Sequence, residues 1–112
     1  MMTDEYIIEK GYKEFEPSPL KNNSISKCFQ KRFDDENGKK YFITINKWDW
    51  TWTHRDDMPD YSYELETQLY KKDTREPIDM TFFSGWEIDD TEEYLEKIWN
   101  TEMFDYYEEW YG

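Results

Sequence analysis

The sequence predicts an α+β fold: a four-stranded antiparallel meander with a C-terminal helix, or two short helices, packed on one face of the sheet. Three observations predict it. Between Ile25 and Phe82, apolar and polar residues alternate with the period of two that marks half-buried strands. Polar, turn-forming stretches at residues 34–39, 54–60 and 71–77 divide those runs and are short enough to link antiparallel neighbours. After Gly85 the apolar spacing changes to the three-and-four pattern of an amphipathic helix. At 112 residues the chain is expected to form a single domain: an N-terminal arm over 1–23, the sheet over 24–84, and an acidic, aromatic helical segment over 88–110.

In the arm, Tyr6, Ile7, Ile8, Tyr12 and Phe15 have a spacing that suits a short helix or an extended segment, and an arm lying across the sheet is expected. Glu16-Pro17-Ser18-Pro19 stops any helix, because each proline lacks an amide hydrogen and pushes the residue before it towards extended geometry. The strand pattern begins with Ile25, Phe29 and Phe33 on one face, interrupted by Lys27 and Lys31. A two-residue Asn37-Gly38 turn would pair Phe33 with Phe42 and leave Ile43 and Ile45 facing Arg32 and Gln30. A type I turn with Gly38 in a left-handed bulge instead pairs Phe33 with Tyr41 and Phe29 with Ile45. A one-residue slip moves every side chain to the other face, so the apolar pairing selects the bulged turn.

Residues 48–54 continue the alternation, placing Trp48, Trp50 and Trp52 together on the face opposite Ile43 and Ile45. Three tryptophans on one side need a cover, such as the arm or a second copy of the chain, or a ligand. Aromatic faces suit bases, yet the neighbouring Asp49, Asp56, Asp57 and Asp60 repel phosphates, so a packing or protein interface is expected. Residues 61–70 form the clearest strand, with Tyr61, Tyr63, Leu65, Thr67 and Leu69 facing the core and Ser62, Glu64, Glu66 and Gln68 facing outward. The fourth strand, 78–82, turns Ile78, Met80 and Phe82 inward and Phe83 outward.

Asp89 and Asp90 then open a helix, each with a glutamate three residues on, Glu92 and Glu93, as in a capping box. Tyr94, Leu95, Ile98 and Trp99 make its apolar stripe. Beyond them the stripe direction passes to Glu102, Asp105 and Glu109, while Met103, Tyr106, Tyr107 and Trp110 rotate away. A break at Asn100-Thr101 and a second short helix over 101–110 restore the pattern.

Charge narrows the function. The formal net charge is −13, distributed as about −3 over residues 1–20, +4 over 21–48, −5 over 49–86 and −9 over 87–112. The basic hairpin is expected either to attract the acidic parts, within the fold or between copies, or to act separately. Residues 86–112 combine ten acidic side chains with eight aromatic rings, whereas a purely solvating tail has few aromatics, so the segment is expected to fold and display its carboxylates. Direct binding of nucleic acid or of an anionic membrane is disfavoured and a basic protein partner favoured. Cys28 is the lone cysteine, no leader-like start or membrane-length apolar run is present, and the cytoplasm is the expected compartment, that of the host cell if the chain is phage-encoded.

Catalytic chemistry has little to stand on. Cys28 and His54 lie on different elements, no phosphate-cradling or dinucleotide-binding glycine loop occurs, and His54-Arg55-Asp56 matches a kinase catalytic loop only by chance. His54 beside Asp56, Asp57 and Asp60 reads as a solvated turn. The expectation is a non-enzyme without cofactor or metal. Its candidate partner-binding surface comprises Asp89, Asp90, Glu92, Glu93, Glu96, Glu102, Asp105, Glu108 and Glu109. A candidate aromatic interface comprises Trp48, Trp50, Trp52, Tyr107 and Trp110, which could also join two copies as a homodimer.

The hairpin over residues 27–50, with Gly85-Trp86 and the acidic helix, resembles small uncharacterised acidic proteins of low-GC Gram-positive phages and mobile elements across most of residues 27–107. That resemblance implies a genomic setting, and the scarcity of Ala, Val, Gly and Pro beside abundant Ile, Lys, Asn and Tyr suits an AT-rich coding sequence. The acidic C-terminal arrangement is similar in style to anti-CRISPR inhibitors that present carboxylates in place of DNA phosphates. It implies an inhibitor that mimics nucleic acid against a basic host defence enzyme. An immunity protein neutralising a toxin, or a non-inhibitory accessory module forming a homodimer, are the alternatives.

Overall fold

The hairpin sets the frame. In the computed structural model, which describes residues 2–17, 23–78, 81–83 and 85–101, β2 (Ile25–Asp35) pairs with β3 (Gly38–Asp49) so that Phe33 lies opposite Tyr41 and Phe29 opposite Ile45. This is the register the apolar pairing selects. The turn closes at Asp35 and Gly38, whose φ of +134° is one that a residue with a Cβ rarely adopts. The extra residue sits two places further on than the expected bulge: Asp34 pairs with Lys39 but Phe33 with Tyr41, leaving Lys40 over. The bulge therefore turns the Lys40 and Tyr41 side chains to the same carboxylate, Glu96.

Strand β4 (Tyr61–Leu69) adds to β3 with Leu65 opposite Ile45 and Leu69 opposite Tyr41. The sheet has five strands rather than the expected four, in the order β1-β2-β3-β4-β5 with every neighbour antiparallel. The additional strand comes from the N-terminal arm. Thr3 caps the short helix α1 (Asp4–Glu9) by accepting from the Tyr6 amide, Gly11 at φ +93° turns the chain, and β1 (Lys13–Phe15) pairs along the edge of β2.

At the other edge, β5 (Thr81–Phe83) corrects the expected facing. Leu65 pairs with Phe83 and Thr67 with Thr81, whereas the Tyr70–Pro77 bridge follows a register one residue different. That single step reverses the faces. Phe83 is 7% exposed and joins the core, while Phe82, expected inward, is 59% exposed. Ile78 is buried as expected, and Met80 lies outside the described residues. One apolar row thus crosses four strands through Phe29, Ile45, Leu65 and Phe83.

Helix α2 (Ile88–Trp99) covers that row with Ile88, Leu95, Ile98 and Trp99, alongside Ile7 and Tyr12 from the N-terminal segment. Burying each such side chain contributes about 1.5–3 kcal/mol. The capping box is not formed. Glu87 is the N-cap and makes no side-chain cap bond, so Asp89 and Asp90 lie within the first turn, where carboxylates still favour the helix dipole. The helix ends at Asn100, whose amide Nδ2 donates to the Glu96 carbonyl at 2.9 Å, at the expected break. The second helix expected over 101–110, with Met103, Tyr106 and the rest of its apolar residues, falls outside the described residues beyond Thr101.

The second face of the sheet is not the open polar surface that alternation implies. Cys28, Thr44, Asn46 and Glu66 are all buried there, Glu66 to 3% exposure. The Cys28 thiol donates to Asn46 Oδ1 at 3.1 Å, and Gln30 Nε2 donates to Thr44 Oγ1 at 3.2 Å. Among the described residues no buried side-chain nitrogen or oxygen lacks a hydrogen-bond partner.

Candidate functional site

The lysines that interrupt the apolar face of the hairpin reach up to the helices. Lys27 and Lys47 both donate to the Asp4 carboxylate, at 3.2 and 3.1 Å, and Tyr63 Oη adds a 2.6 Å bond to the same group. Lys31 donates to the Lys10 carbonyl at 2.8 Å and meets Glu92 at 3.5 Å, where Tyr12 Oη also donates at 3.0 Å. Lys40 holds Glu96 at 2.9 Å with Tyr41 Oη at 2.7 Å. At the C-cap of α1, Lys10 pairs with Asp89 at 2.9 Å. The basic hairpin and the acidic helices therefore neutralise one another within the fold.

This divides the candidate acids of α2. At about 100° per residue, Asp89, Glu92 and Glu96 share one flank of the helix, and that flank is the one clamped by Lys10, Lys31 and Lys40. Asp90 and Glu93 point outward. Among the described residues Glu93 pairs with Lys97, one turn on at 3.2 Å, and both side chains are about two-thirds exposed. Asp90, and with it Glu87, is exposed and has no ion pair among the described residues. Glu102, Asp105, Glu108 and Glu109 lie outside the described residues.

The clamped groups are electrically biased. Burial pushes the Glu96 carboxyl up, but the Lys40 ammonium and the Tyr41 and Asn100 donors outweigh it and leave the pKa below its ordinary value. Asp4 follows the same logic, with burial opposed by Tyr63, Lys47 and Lys27. The hydrogen bond from Lys10 holds Asp89 low. Burial and the facing carboxylates raise the Tyr12, Tyr41 and Tyr63 hydroxyls, which stay protonated as donors. These carboxylates are thus fixed anions, held in place by donors from the sheet.

The tryptophan face departs from expectation at its far end. Strand β3 stops at Asp49, whose carboxylate accepts from the Thr51 amide at 2.9 Å and hydroxyl at 2.6 Å, and a single 3₁₀ turn follows over Thr51–Thr53. Trp48 and Trp50 stay together, stacked at 5.3 Å with planes 5° apart, and Trp50 Nε1 donates to Ser62 Oγ at 2.7 Å. They cover each other and are only partly exposed. Trp52 is carried away by the turn and is 62% exposed. The proposed partners of this interface in the C-terminal segment, Tyr107 and Trp110, lie outside the described residues.

Two neighbours of the acids were counted in the acidic segment but not named among the candidate site residues. Glu87 extends the exposed acids by one residue, and Trp86, 40% exposed, packs on Tyr94 at 5.3 Å and on Phe83 at 5.2 Å. Helical spacing offers no signal for this, because Trp86 precedes the extended N-cap Glu87 and its contact with Tyr94 depends on how the chain enters α2.

For chemistry, Cys28 is buried against Asn46 and His54 stands in the exposed loop after the 3₁₀ turn, so no thiol–imidazole pair forms. No group of His, Cys, Asp and Glu among the described residues is arranged to hold a metal ion. No helix among them is long and apolar enough to cross a membrane. Among the described residues, the acids Glu87, Asp90 and Glu93 and the Trp86 ring are exposed at and just before the start of α2. No protein-family model, curated protein or solved structure matches the chain.

Proposed function

We propose that this chain is a small acidic inhibitor that binds a basic nucleic-acid-handling enzyme, of the nuclease or CRISPR-effector class, by presenting carboxylates where that enzyme expects phosphates. The observation that carries the reading is the exposed acid at α2 that the sheet lysines do not clamp. Four sheet lysines are engaged by carboxylates of α1 and α2, yet Asp90 and Glu93 on the helix and Glu87 at its N-cap remain exposed. A surface fixed in this way loses little freedom on binding, and a net charge of −13 accelerates encounter with a basic channel.

The test follows from the division of the acids. Reversing Glu92 or Glu96 to lysine would break internal clamps and confound the result, whereas the triple variant Glu87→Lys, Asp90→Lys, Glu93→Lys leaves them in place. The immobilised chain should capture basic nucleic-acid-binding enzymes from a bacterial lysate at low salt. Duplex DNA should displace them, and the triple variant should fail to capture them. Captured enzymes that DNA does not displace, or that the triple variant holds equally well, would refute the proposal.

A further inference from the structure

The flank of α2 opposite the lysine clamps carries a group that charge alone leaves unexplained. Phe83, Trp86 and Tyr94 form a three-ring cluster: Phe83 meets Trp86 edge-on at 5.2 Å and Tyr94 edge-on at 5.8 Å, and the planes of Trp86 and Tyr94 tilt by 54° at 5.3 Å. Phe83 anchors the cluster in the core, and Trp86 is left 40% exposed. Gly85, at φ +78°, has open space where a side chain would stand. Together with Trp86 and Asp90 it lines an open groove of about 340 Å³. The Asp90 carboxylate has no ion pair among the described residues, and Lys97, the lone basic residue of α2, is paired with Glu93.

We propose that this groove anchors one arginine side chain of the partner protein, its guanidinium stacked on the Trp86 indole and paired with the Asp90 carboxylate. The proposal rests on the inhibitor reading and names the group by which the basic partner is gripped. An indole face attracts cations, and a planar, weakly hydrated guanidinium both stacks on it and forks to a carboxylate, which an ammonium does not. Indole and carboxylate flank one groove, and the cluster holds the indole so that little freedom is lost on binding. Tryptophan and arginine are both enriched among the few residues that carry most of the binding energy at protein interfaces. Charge complementarity selects the occupant, because Asp90 lines the groove and brings a negative charge to it without an ion pair among the described residues.

The test uses the full chain with labelled indole nitrogens and two short peptides, one with arginine at alternate positions and one with lysine. The arginine peptide should move the Trp86 indole resonance saturably and bind about threefold to fivefold more tightly than the lysine peptide. Asp90→Asn, which leaves the ring cluster in place, and Trp86→Leu should each remove about that same factor, while Trp52→Leu should change nothing. Equal binding of the two peptides with Trp86 unmoved would overturn the proposal. So would perturbation centred on Trp52, or a Trp86 resonance that moves with protein concentration alone, which would mean that a second copy fills the groove. Enzyme inhibition that survives Trp86→Leu contradicts the anchor only, and arginine binding without enzyme inhibition contradicts the inhibitor reading only.

Discussion

Asp4 concentrates the forces that hold the N-terminal helix to the sheet. Its carboxylate takes bonds from two lysines and a tyrosine, and Asp4→Asn would leave the ammonium of Lys47, a largely buried side chain, without its anion. The loss at neutral pH should be about 2 kcal/mol by urea denaturation, in the range for charge-assisted bonds. The sign with pH follows from the lowered pKa values of Asp4, Asp89 and Glu96. Each binds its proton less readily when folded, so its stabilisation is complete above the ordinary values of 3.8 for Asp and 4.5 for Glu, and is lost as pH falls through them to the folded values. The gap between Asp4→Asn and the parent should therefore shrink on acidification. A gap of constant size from pH 7 to pH 3 would contradict this assignment. The tyrosines act at the other end. Tyr12, Tyr41 and Tyr63 have raised pKa values, so their stabilisation is whole below the ordinary value of 10.0 and is lost as pH rises beyond it. Phenylalanine at Tyr63 should be destabilising at pH 7 and lose that difference in strong alkali.

Among the elements, the hairpin was legible because its two strands carry enough apolar positions to make only one pairing tolerable. The lysines on its core face were legible as interruptions, but their purpose needed the helices above them. Strand β1 was not legible: three exposed residues offer no alternation, and Pro17 and Pro19 beside them suggest a plain linker. The facing of β5 was misjudged because alternation was extended from Ile78 across a register that changes by one residue before Thr81. The tryptophan run failed for a related reason, since the Asp49 turn ends the strand before the alternation does. Two substitutions separate the possible registers of β5. Phe83→Ala should cost about 3 kcal/mol or more, as removal of a buried ring does, and Phe82→Ala should stay within about 0.5 kcal/mol. Chemical denaturation of the pair reads this directly, and the reverse ranking would restore the simple alternation. At the turn, Gly38→Ala should cost about 1 kcal/mol or more, because its φ of +134° strains any residue with a Cβ.

For the whole molecule, charge is the organising fact, and the sequence showed its distribution before it showed its arrangement. The −9 of residues 87–112 marked the acidic segment, but a count could not tell clamped carboxylates from free ones. That distinction needs the third dimension: Asp89, Glu92 and Glu96 lie beside lysines distant in sequence, while Asp90 does not. Trp86 was counted among the aromatics of the acidic segment but not among the candidate site residues, because its packing depends on Phe83 facing inward. The most direct measurement is steady-state inhibition of a captured enzyme acting on DNA. Mimicry requires competition: added protein should raise the apparent KM for DNA and leave kcat unchanged, the effect should weaken steeply with salt, and the Glu87→Lys, Asp90→Lys, Glu93→Lys variant should lose it. A fall in kcat at constant KM, unaltered by that triple reversal, would contradict the acidic face of α2 as the seat of function.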